Sequence, residues 1–71
     1  MKSLYDVQEW LKTFGYVNLM ADRLDAIYFM KVELSQMIER GILERTDQDY
    51  MTASLILRRE ERIETEKRNE L

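Results

Sequence analysis

At 71 residues the chain has room for one hydrophobic core, and its net charge of −3 excludes a blanket electrostatic attraction to nucleic acid or anionic membrane. It has no cysteine and no histidine, so disulfides, zinc sites of the usual Cys/His kind, thiol nucleophiles and imidazole bases are excluded. Charged residues make up 35% of the chain and proline is absent, a balance that suits helices with solvated faces and predicts an all-α fold.

The first helix is expected over residues 4–14. Ser3 can accept from a backbone N–H three residues on, and Asp6 supplies the acid of a capping box. Leu4, Val7, Leu11 and Phe14 recur at helical spacing with Trp10 beside them, and Gly15 ends the run. Tyr16 to Met20 reads as a short connector packed onto the core.

A second helix is expected over 22–40. Asp22 and Asp25 mark its start, and Leu24, Ile27, Met30, Leu34, Met37 and Ile38 form its inner stripe. Arg40 suits its last turn, Gly41 its cap, and Ile42 the apolar contact that accompanies a glycine cap.

The third helix is expected over 47–66. Its start lies at Thr46-Asp47-Gln48-Asp49, and Tyr50, Ala53, Ile56 and Leu57 face inward. Beyond Arg58 the pair Arg58/Arg62 repels and Glu64/Arg68 attracts at one-turn spacing. Residues 1–66 therefore read as one compact three-helix bundle with a charged C-terminal helical extension, and 67–71 as a frayed charged tail. No apolar run approaches a signal-peptide core or a membrane span, which fits a cytoplasmic protein.

The sequence offers no nucleophile with its base, no paired carboxylates placed for a pocket and no glycine-rich phosphate loop. The acid pairs Asp22/Asp25 and Asp47/Asp49 sit where helix starts need negative charge, and they read as caps, not metal ligands. The expectation is a non-enzymatic binding protein with no cofactor, metal or small-molecule substrate.

Residues off the inner stripes carry the binding readings. Arg58, Arg59 and Arg62 lie near Met51 and Leu55, a mixture of guanidinium heads and apolar bodies that suits single-stranded DNA or RNA, with Arg40 and Lys12 assisting and Trp10 as a stacking platform. The same arginines also read as a solvated face balanced by Glu60, Glu61 and Glu64, and Trp10 also reads as core. A different class of function, a protein-interaction module or homodimer, would bury Phe29, Val32, Met51 and Leu55. These alternatives stay open at the level of sequence.

Tyr5-Asp6-Val7-Gln8, Leu11-Lys12, Phe14-Gly15, Gly41-Ile42-Leu43 and Tyr50 through Ala53 to Ile56-Leu57-Arg58-Arg59-Glu60 occur in an order that resembles the YqgQ-like family of short bacterial proteins. The resemblance covers the chain to about residue 62 and implies a three-helix bundle in a cytosolic protein of low-GC Gram-positive bacteria. It implies no enzyme activity; the family is largely of unknown function, and single-stranded nucleic acid is the ligand it points to. Leu57-Arg58-Arg59-Glu60, Trp10 and Lys12 are the matched candidates for such a binding surface, whereas the connector from Tyr16 to Ala21 fits the family pattern less clearly.

Overall fold

The structure, a computed structural model, describes residues 1–69. Three helices follow in order: α1 (Leu4–Lys12), α2 (Arg23–Glu39) and α3 (Gln48–Asn69). The all-α three-helix fold is as expected, and among the described residues no helix is long and apolar enough to cross a membrane. Glu70 and Leu71, the last two positions of the expected tail, lie outside the described residues.

Local chemistry sets the helix ends. Ser3 and Asp6 form the reciprocal capping box: Asp6 N–H donates to Ser3 Oγ at 3.2 Å, and Asp6 Oδ2 accepts from Ser3 N–H at 3.1 Å. Asp22 Oδ2 accepts from Asp25 N–H at 3.1 Å and starts α2. Gly15 and Gly41 have φ of 94° and 73°, the left-handed region open to glycine. Each closes a Schellman cap, with Tyr16 N–H reaching Leu11 O at 3.2 Å and Ile42 N–H reaching Met37 O at 2.9 Å.

Four expectations are corrected. α1 stops at Lys12, because Thr13 to Gly15 tighten into the cap and leave Phe14 exposed. The cap of α3 is Asp47, not Thr46: Tyr50 N–H donates to Asp47 Oδ1 at 3.0 Å, after a turn in which Asp47 N–H reaches Glu44 O. Leu43, one residue beyond Ile42, is the buried side chain after Gly41, and Ile42 faces solvent. In the connector only Tyr16 packs on the core, while Asn18 Nδ2 donates to Gln8 Oε1 at 3.2 Å and turns Val17 and Leu19 outward.

The core lies around α3, which packs against both α1 and α2. Leu11, Ile27, Met30, Met37, Leu57 and Val7 are its largest fully buried side chains, supplied by all three helices. Packing at this density makes each of them felt. Leu57→Ala should therefore cost about 2–5 kcal/mol in chemical denaturation. Leu34→Asp, which buries an unpaired charge, should abolish the cooperative transition, and a parent-like melt would contradict the core assignment.

A fifth correction concerns the end of α3, which runs to Asn69 and does not fray near residue 66. The first turn of α2 holds it: Arg68 Nη2 donates to Asp22 Oδ1 at 2.6 Å and lies 3.6 Å from Glu64 Oε1. This contact, followed by the Asp25 backbone N–H, holds the Asp22 carboxyl below the usual carboxylate range. A depressed folded-state pKa stabilises the fold above the ordinary carboxylate range, and the contribution is lost as pH falls through the folded value. In thermal melts Asp22→Asn should be less stable than the parent near neutral pH, with the gap closing below about pH 3. A gap that does not change with pH would contradict the assignment.

Candidate functional site

From Leu55 onward α3 carries an arginine-rich face whose exposure depends on where the neighbouring glutamates point. Arg23 on α2 lies 3.8 Å from Glu60 Oε1 and 3.7 Å from Glu64 Oε2, and Lys31 Nζ donates to both oxygens of Glu61 at 3.0 and 3.1 Å. These three carboxylates are drawn toward α2. Among the described residues Arg58 and Arg62 make no ion pair and are exposed.

Arg59 extends the face toward the N-terminus. Its Nη2 donates to the backbone oxygen of Lys2 at 2.7 Å, while its contact with Glu60 is longer, at 3.8 Å. Leu55, 64% exposed, lines a shallow recess with Arg58, Arg59 and Arg62, and a neighbouring recess holds Met1, Lys2, Leu55 and Arg59. Among the described residues no carboxylate lines either recess. Met51 lies one turn before Leu55, also exposed.

On the other flank of Arg58 and Arg62 runs a groove of about 480 Å³ between α2 and α3, with Leu24 and Tyr28 on its α2 side. Tyr28 is 58% exposed, and its ring meets that of Phe29 edge-on, the centroids 5.4 Å apart. Asp25, Glu61 and Glu66 also line this groove, so negative charge is disfavoured beside Tyr28 and favoured on the Leu55 side. The chemistry on offer is anion recognition by planar guanidinium forks, with an aromatic face across the ridge. Among the described residues no group of three or more His, Cys, Asp or Glu is placed to hold a metal ion.

Of the residues singled out in the sequence, the fold brings Arg58, Arg59 and Arg62 together and places the other three elsewhere. α2 and α3 run antiparallel, since Asp22 meets Arg68 and Lys31 meets Glu61, so Arg40 lies at the opposite end of α2. There it lines a separate groove of about 620 Å³ with Phe29, Val32, Glu33 and Gln36. Lys12 pairs with Glu9 at 3.3 Å, and Trp10 packs on the core with its ring edge-on to Phe14. The apolar four also separate, Phe29 and Val32 on the Arg40 groove and Met51 and Leu55 on the arginine face.

Lys2 and Tyr28 were missed because a tertiary contact brings each to the site. Lys2 is 57 residues from Arg59 in sequence, and no local pattern joins them. Tyr28 did carry a signal: like Phe29 it is an aromatic residue off the inner stripe of α2.

Comparison with known proteins gives a consistent assignment. A model of the YqgQ-like family matches residues 1–63. The uncharacterized protein YqgQ of Bacillus subtilis (strain 168) is 37% identical over 60 residues, covering 84% of this chain and 82% of that protein. No solved structure matches significantly. With the matched region running from the α1 capping box to the arginine face of α3, the chain belongs to the YqgQ-like family.

Proposed function

We propose that this is a non-enzymatic cytoplasmic protein that binds single-stranded nucleic acid weakly and with little sequence preference along the Arg58/Arg62 ridge. The observation that carries this reading is the partition of charge on α3. Glu60, Glu61 and Glu64 are held by Arg23 and Lys31, and among the described residues the exposed Arg58 and Arg62 make no ion pair. A strand along the ridge would set its phosphates against Arg58, Arg59, Arg62 and Lys2 and a base against Tyr28. Unpaired bases are needed for the ring to stack, which favours single strands over duplex. The acidic rim beside Tyr28 and the net charge of −3 keep the affinity low.

Fluorescence anisotropy of labelled single-stranded and duplex oligonucleotides, at low and physiological salt, tests this reading. Saturable, salt-sensitive binding that prefers single strands is the expected result. Arg58→Ala with Arg62→Ala should weaken it by about tenfold or more and flatten the log–log salt slope by about 1.4, the loss of two single-strand phosphate contacts. The fold should survive, since both side chains are exposed. Tyr28→Ala should weaken binding by about fivefold or more at unchanged salt slope, because stacking releases no counterion. No binding at low salt, or an unchanged affinity in the double arginine variant, would contradict the assignment.

A further inference from the structure

We propose that the groove between the α1–α2 connector and α2 is a self-association surface, on which a second copy of this chain docks antiparallel across a twofold axis close to Gln36. The groove is lined by Phe14, Leu19 and Met20 on the connector side and Phe29 and Val32 on α2, and Leu19 at its rim is 81% exposed. A twofold contact needs a surface that is complementary to itself. This one carries a projecting leucine and an apolar recess on the same face, so each copy can fill the other.

Charge identifies the occupant as a second copy. Glu33, Gln36 and Arg40 all line the groove, and among the described residues neither Glu33 nor Arg40 makes an ion pair. Seven residues of helix separate the two charges by about 10 Å along the axis, too far to meet within one chain. Gln36 lies between them on the same face. Rotation about a twofold axis at that level lays Glu33 of each copy against Arg40 of the other, making two ion pairs from two groups unpaired in the monomer. The pairing is direction-specific: a parallel arrangement would set like charges together.

This surface is separate from the arginine ridge. On α2, Leu24 and Tyr28 face the ridge, whereas Phe29, Val32, Glu33, Gln36 and Arg40 occupy a different side of the helix. A dimer built this way leaves Arg58 and Arg62 of both copies open, and the proposal does not rest on the nucleic-acid reading.

Sedimentation of the full chain from micromolar to millimolar concentration, on the parent and on Glu33→Arg and Arg40→Glu separately, tests it. The parent should show a monomer–dimer equilibrium. Each single variant makes both cross-axis pairs like-charged and should weaken association by about tenfold or more. An equimolar mixture of the two variants restores both pairs in the heterodimer and should associate to within about twofold of the parent. Leu19→Ser, at a position with no part in the core, should weaken association without altering the helical circular dichroism. A parent that stays monomeric to millimolar concentration would overturn the proposal and leave the face to another partner. So would variants that associate like the parent, or a mixture no stronger than its components.

Discussion

Arg23 lies between Glu60 and Glu64, and Lys31 holds Glu61, so the first half of α2 draws in three of the four carboxylates that α3 carries beyond Arg58. Each of these pairs is partly solvated, and their contribution to stability is small. Their larger consequence is directional. On a free helix Glu61 and Glu64 would compete for the arginines around them; with Glu61 held by Lys31 and Glu64 shared between Arg23 and Arg68, Arg58 and Arg62 are exposed and, among the described residues, in no ion pair. The same contacts carry α3 past the apolar core, ending in the Asp22–Arg68 pair that joins the start of one helix to the end of the other.

With its inner stripe committed to the core, α2 has two sides left, and the fold puts each beside a different neighbour. The side bearing Leu24 and Tyr28 borders the arginines of α3, and the side bearing Phe29, Val32 and Glu33 borders the α1–α2 connector. The edge-on contact of Tyr28 with Phe29 lies at the boundary between the two. A chain of this size has little area to spare, and Phe14, Val17, Leu19, Met20, Tyr28 and Phe29, all exposed, line one or other of these two sides.

Much of the fold was legible in the sequence because its determinants are local. Ser3 with Asp6, Asp22, Gly15 and Gly41 each act within a turn of where they stand, and Val7, Leu11, Ile27, Met30, Met37 and Leu57 recur at the helical period. Two of the misplacements are one-residue choices between similar signals, Asp47 against Thr46 and Leu43 against Ile42; the early end of α1, the outward-turned connector and the charged end of α3 depend on caps and contacts that periodicity does not show. The site was legible only in part. Spacing places Arg58, Arg59 and Arg62 on one stretch of helix, but periodicity along a single helix does not say which neighbour claims the glutamates. Nor does it bring Lys2 beside Arg59 or send Arg40 to the far end of α2.

The most direct test of the charge partition is a residue-resolved titration, following backbone amides and arginine side chains by NMR as a short single-stranded oligonucleotide is added at low salt. The account predicts that the largest shifts fall on Arg58, Arg59, Arg62, Lys2 and Tyr28, while Phe29, Glu33 and Arg40 stay unchanged. Shifts centred on the Arg40 groove, or none at saturating oligonucleotide, would contradict it.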